Sequence, residues 1–227
     1  MYKKLKSLKH CNLTNTVVTV LFDTPFDLSY VVKTISKAYD DSKMNVSEYP
    51  LTNTNKAIDK DDKITCLANN KYKVIIERGR LSFNIVANYT SWNDYKKFIA
   101  VALDAIPKQE LVFKSSGVNY ISAFPDIRLF DALKGKVHLD CYTNVFGAEL
   151  RYPLISDGCH GLVRITNLLP QGKSYVSFMD ITIFQDASVT STADLWSILE
   201  KVHSKEKDEL VKIIKEDFLD ELGAEYE

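Results

Sequence analysis

The chain has 227 residues, 45% of them hydrophobic and 26% charged, with a formal net charge of −1. That length fits one large domain or two small ones, and the composition is that of a globular protein, not a disordered or fibrous one. A net charge so near zero excludes a global electrostatic pull toward nucleic acid or an anionic membrane surface.

The charge is nonetheless uneven. From Glu200 to the end there are 5 Lys and 10 acids, a net of −5, which leaves +4 for the rest. The acidic end reads as the solvated face of a helix. Met1 to Lys9 is basic but has no apolar core behind it, so it does not read as a signal peptide. No run approaches the roughly 20 apolar residues of a membrane span. The 4 cysteines show no close CxxC pair, so no disulfide framework is expected. A cytoplasmic protein with reduced thiols is the expectation.

In chain order, Thr16 to Phe22 is rich in β-branched residues and reads as a strand. Asp27 or Ser29 can cap a helix running to Tyr39, with Leu28, Val31, Val32 and Ile35 on one face. A short strand is expected at 46–51, followed by an exposed polar loop from Thr52 to Lys63. Three strands then follow at 64–67, 72–77 and 81–87, joined by turns short enough to make them antiparallel neighbours. Trp92 to Ile106 has helical periodicity, with Tyr95, Phe98, Ile99, Ala102, Leu103 and Ile106 on one face, and Pro107 stops it.

Leu111–Phe113 and Val118–Phe124 read as one long or bulged strand around Gly117. Pro125 suits the first turn of a short helix that Gly135 would end. Strands are expected near 137–143, 148–155, 161–169 and 174–184, with turns at 144–147, 156–158 and 170–172. A long helical stretch runs from Ala193 to about Leu222, and its charged gap between Val202 and Leu210 predicts a kink or a second helix near Ser204.

The two tryptophans occupy matching places in this order. Trp92 follows the strand opened by Ser82-Phe83, and Trp196 follows the strand opened by Ser177-Phe178. Ser91 with Asp94, and Ser191 with Asp194, are alike Ser-x-x-acid signatures able to cap a first helical turn. Each tryptophan is expected to pin its helix on its own sheet. The fold expected is α+β, with helices on one face of antiparallel sheets. The repeated order suggests two similar halves, 1–107 and 108–227, packed closely enough to make one compact domain.

Three stretches carry a family likeness. Leu8 to Leu13 followed by Val17–Phe22, the strand Gly117-Val118-Asn119-Tyr120-Ile121-Ser122, and the run from Leu195-Trp196 through His203 to Phe218 form one set. Together they resemble a sporadically distributed bacterial family of uncharacterised proteins somewhat over two hundred residues long. Members have a basic start, a central strand of the form Gly-Leu-Arg-Tyr-Ile-Asn and a helical end with a His. Here the family's usual Pro is Asn12, its acid Asn15, and its Arg and Asn are Asn119 and Ser122. The resemblance implies no reaction, substrate or cofactor.

Few constellations carry chemistry. His138, Cys141, Cys159 and His160 have the donor atoms for zinc. Positions three apart or adjacent on a strand face opposite ways, which argues against a shared metal. Cys11 follows His10, but sequence neighbours do not make a catalytic dyad. There is no nucleophile elbow, phosphate loop, dinucleotide fingerprint or HExxH. Asp126 beside Arg128 reads as a helix-start acid near a surface Arg. Asp61-Asp62 and Glu216-Asp217 read as solvated faces. No cofactor or metal is expected.

Lys3, Lys4, Lys6 and Lys9 with an aromatic-rich sheet give nucleic-acid binding weak support. The scarcity of arginine (only Arg78, Arg80, Arg128, Arg151 and Arg164) weighs against it. A binding protein that engages a protein partner or its own copy, without a membrane, is therefore the functional expectation. The alternative is an enzyme with its site in a cleft between the halves, where Arg128, Arg151, His138 or Tyr120 would converge. The C-terminal helix, with Asp208/Lys212 and Lys212/Glu216 spaced for ion pairs, reads first as packed on its own sheet.

Overall fold

A computed structural model describes residues 5–8, 13–23, 27–50, 63–87, 89–107, 112–135 and 147–226. The strand expected near 137–143 and the loop from Thr52 to Asp62 lie outside the described residues. The strands are β1 (Leu5–Leu8), β2 (Leu13–Phe22), β3 (Asn45–Pro50), β4 (Lys63–Ala68), β5 (Tyr72–Glu77), β6 (Arg80–Ile85), β7 (Phe113–Pro125), β8 (Ala148–Ser156), β9 (Cys159–Gln171), β10 (Ser174–Val189) and β11 (Ala224–Tyr226). The helices are α1 (Leu28–Ala38), α2 (Trp92–Ala105), α3 (Thr192–Ile213) and α4 (Glu216–Glu221). The protein is α+β. Nine strands form one sheet in the order β3-β4-β5-β6-β2-β7-β10-β9-β8, and β1 pairs separately with β11. No described helix is long and apolar enough to cross a membrane.

The chain divides into two compact units, and they interleave in sequence. One comprises Asn15–Gly117 and Asp186–Leu199; the other comprises Met1–Thr14, Val118–Gln185 and Glu200–Glu227. This differs from a simple division at residue 107.

In the unit built around β2 to β6, apolar residues alternate with polar ones because successive side chains point to opposite faces. Val18, Phe83, Val74 and Leu67 stand side by side across four strands, and all are buried. The Asp27 side chain caps α1 by accepting from the Tyr30 N–H at 3.1 Å. Ser91 caps α2 as its spacing predicts: Oγ accepts from the Asp94 N–H at 3.1 Å and donates to the Asp94 carboxylate at 2.9 Å. Tyr95 fastens α2 to the sheet. Trp92 stays half-exposed, with its ring edge-on to Tyr95 at 5.9 Å. Tyr95 is fully buried, and its hydroxyl accepts from Val18 N–H at 3.0 Å while facing the carbonyls of Thr16 and Phe83.

In the other unit β8, β9 and β10 form an antiparallel meander. Asp157 and Gly158, both at positive φ, make the two-residue turn between β8 and β9, a conformation whose twist suits a hairpin. Pro125 does not start a helix. It ends β7, and Asp126 follows at positive φ, with its N–H donating to the Tyr175 carbonyl and its carboxylate accepting from the Tyr175 N–H. The helix beyond it is one short 3-10 turn, Leu129–Ala132. Nor does the C-terminal helix break near Ser204. α3 runs unbroken to Ile213, because the charged residues of its middle turns are accommodated on the sheet. Its last carbonyls are satisfied from outside the helix: Lys134 Nζ donates to Val211 O and the Lys134 N–H to Ile213 O, both at 2.8 Å.

Candidate interaction surface

The β8–β9–β10 meander has two unlike faces. One face meets the later turns of α3. Tyr152 and Leu154 on β8, Cys159, Val163 and Ile165 on β9, and Met179, Ile181 and Ile183 on β10 point this way. Beneath α3 lies a recess of about 170 Å³, open solvent included, lined by Leu154, Ser156, Cys159, Ile183, Lys205 and Glu209. That is below the several hundred Å³ of ordinary small-molecule sites. Lys205 Nζ closes one side, bonding the Asp157 carboxylate at 2.7 Å and Ser156 Oγ at 3.0 Å. The bond to Lys205, reinforced by Ser156, holds the Asp157 carboxyl below its usual range.

Cys159 is not an activated thiol. Burial pushes its thiol up, outweighing the nearby Lys201 and Lys205, and Sγ donates to Gln185 Oε1 at 3.8 Å. A thiol so placed is mostly protonated at neutral pH and a poor nucleophile. Its neighbour His160 lies on the opposite face of the sheet, stacked on Phe184 at 6.1 Å. The other two zinc candidates, His138 and Cys141, lie outside the described residues, as do His10 and Cys11. Among the described residues no three His, Cys, Asp or Glu side chains are grouped to hold a metal.

The buried turn of α3 carries polar groups that sequence reading placed in a charged gap. His203 Nδ1 and Tyr120 Oη are 2.7 Å apart. Glu209 pairs with Lys212 at 2.7 Å, so Lys212 turns to Glu209 and not to Asp208. Glu206 is buried, and desolvation pushes its carboxyl up to about 8 against the opposing charge of Lys207. Tyr152 Oη is buried without a hydrogen-bond partner among the described residues, and burial raises its pKa too. The comparison with α2 shows what is unusual. Leu195, Ile198, Leu199, Val202, His203 and Glu206 each stand 100 positions after Tyr95, Phe98, Ile99, Ala102, Leu103 and Ile106. All of these residues are buried. Two core positions that are aliphatic in α2 and at its C-cap are thus titratable in α3.

The second face of the meander is open, and register alone lays it out in rungs. Ile155, His160 and Phe184 form one rung across β8, β9 and β10; Pro153, Leu162 and Thr182 form the next. Arg151, Arg164 and Asp180 form a third, and Glu149, Thr166 and Phe178 a fourth. Every β8 residue on this face is exposed, Ile155 by 86%, and Leu162 on β9 by 40%. Two arginines directly opposite each other repel. Here each has an acid: Arg164 Nη2 donates to Asp180 at 2.7 Å, and Arg151 Nε to Glu149. Asn119 on β7 extends the third rung, donating to Asp180 and, at 2.6 Å, to Thr182 Oγ1. The face therefore carries two mainly apolar rungs beside two rungs in which Arg151 and Arg164 are balanced by Glu149 and Asp180.

Of the four polar groups expected to converge, three are among the described residues. Tyr120 meets α3 through His203, Arg151 is on the open face, Arg128 precedes the 3-10 turn, and His138 is outside the described residues. The described segments behind the family resemblance lie in β2, in β7 and in α3 with α4. No protein-family model matches the chain, and no curated protein is significantly similar to it.

Proposed function

We propose that the protein is a binding protein that docks a protein partner on the open face of β8, β9 and β10. The observation that carries this is Ile155, a large aliphatic side chain 86% exposed at the end of two adjoining apolar rungs. Single exposed aliphatics are ordinary, but contiguous ones rimmed by paired charges have the composition of an interface. The recess under α3 supports no competing enzymatic reading: it is small, and its thiol is held protonated. The pairing of Arg151 and Arg164 with Glu149 and Asp180 supports a protein over nucleic acid, because phosphate binding rests on surplus cations. Buried free thiols at Cys66 and Cys159 support a reducing compartment such as the cytoplasm. The matched burial of α2 and α3 supports an internal duplication whose second copy has diverged.

A photo-crosslinking residue in place of Ile155 tests the docking face. In cells making the protein it should give a discrete protein adduct, whereas the same probe in place of Val46, 55% exposed on β3, should give none. No adduct at 155, or the same adduct from both positions, would defeat the reading.

A further inference from the structure

We propose that the later turns of α3 are a proton-operated latch on the paired ends of the chain: protonated Glu206 keeps β1 and β11 docked, and ionised Glu206 lets them open. The latch is separate from the docking face on β8, β9 and β10.

The element it holds is weak by construction. β1 and β11 form a two-stranded sheet of their own, with Leu5 beside Tyr226, Ser7 beside Glu225 and Leu8 beside Ala224. A two-stranded ribbon is marginal in water and needs a surface to pack on. Leu5, Leu219 and Leu222 are buried there. Ser7 Oγ donates to Glu225 Oε2 at 2.9 Å, and Lys207 Nζ donates to the Lys6 carbonyl at 2.9 Å. The second bond ties β1 to α3 at the residue next to Glu206.

Glu206 itself is 7% exposed, 100 positions after the buried Ile106, where burial disfavours a charge. The titratable groups around this end of α3 come from five elements. β7 brings Tyr120 to His203, β8 brings Tyr152 toward Glu209, and β1 brings Lys6. β11 brings Glu225, and α4 sets Glu216 and Asp220 near Tyr226. On α3, Lys205 is engaged with Asp157 and Lys212 with Glu209. The cation that acts on Glu206 is Lys207. A carboxylate formed at Glu206 draws Lys207 toward itself and away from Lys6, and its desolvation favours any opening that wets it. Both effects loosen β1, and β11 with it.

The sign follows from linkage. Glu206 ionises near 4.5 when wetted and near 8 when buried, so rising pH favours the open form until the buried carboxyl ionises too. Between pH 6 and pH 8 opening should become about fifty times more frequent.

Hydrogen–deuterium exchange of the full-length protein at pH 6, 7 and 8, corrected for the intrinsic effect of pH on exchange, tests the latch. Amides of β1 and β11 should lose protection about fifty-fold from pH 6 to pH 8, while those of β5 and β6 keep theirs. Glu206→Gln should abolish that loss. So should Glu206→Ile, which carries the residue found at the matching position 106. Protection of β1 and β11 that is indifferent to pH, or that falls equally in both variants, would overturn the proposal. A fall shared by β5 and β6 would also overturn it, because the whole fold and not a latch would then be responding.

Discussion

Glu206 shows how one side chain can be misread from sequence and why. In the linear chain it sits among Lys205, Lys207, Asp208 and Glu209, and such a run reads as solvated. The helix turns it inward, 100 positions after Ile106, into a place where desolvation holds its carboxyl protonated to about 8. The signal was present in the sequence as the aliphatic residues Leu103 and Ile106 at the matching positions in and just after α2. It needed the burial of both helices to become visible. The consequence is a pH dependence with a definite sign. An unfolded chain ionises Glu206 near its ordinary 4.5, the folded one only near 8. The folded state therefore binds the extra proton between these values, and stability falls as pH rises through that window, then levels off. The full penalty is roughly 5 kcal/mol at most. Glu206→Gln should remove this slope, so that urea unfolding between pH 5 and pH 8.5 shows the variant gaining roughly 3 kcal/mol on the wild type by the alkaline end. Parallel pH profiles for the two proteins would show that Glu206 is solvated.

Elements were more legible than residues, and the misses share a cause. Helix starts at Ser91 and Ser191 follow from local chemistry, since a hydroxyl three residues before an N–H needs no distant partner; Asp194 N–H indeed donates to Ser191 Oγ at 3.0 Å. Strands β4, β5 and β6 fall within a residue or two of their periodicity for the same reason. Pro125 and the gap after Val202 were misjudged because tertiary partners decide them. Pro125 is held at the end of β7 by the bonds between Asp126 and Tyr175. The middle of α3 is held on the sheet by His203 and by Lys205. Gly161 is another such position: nothing in its sequence context marks it, yet a Cβ there would lie 1.9 Å from the Thr182 carbonyl oxygen. β9 and β10 cannot separate enough to admit it without losing the ladder. Gly161→Ala should therefore lower stability by more than about 3 kcal/mol or prevent folding. Chemical denaturation of the purified variant decides this, and a loss under about 1 kcal/mol would mean the strands yield at that point.

At the scale of the whole molecule, the compact units do not follow one another along the chain. The boundaries at 117/118, 185/186 and 199/200 fall inside β7, β10 and α3. A cut at any of them severs a continuous strand or helix, so the fragments 1–117 and 118–227 should each give collapsed amide dispersion in ¹H–¹⁵N spectra; a dispersed spectrum from either would show an autonomous unit. The α+β class, most of the central strands and the helix caps were determined by the sequence alone, because side-chain alternation, helical periodicity and capping act within a few residues. Which units those elements compose, which acid is buried and which face of the meander stays open were decided only by tertiary structure. Those properties depend on which distant residues stand opposite one another: Arg151 beside Arg164, Gly161 against Thr182, Tyr120 against His203. The spacing of residues along the chain carries no term for such pairings until the strands have taken their register.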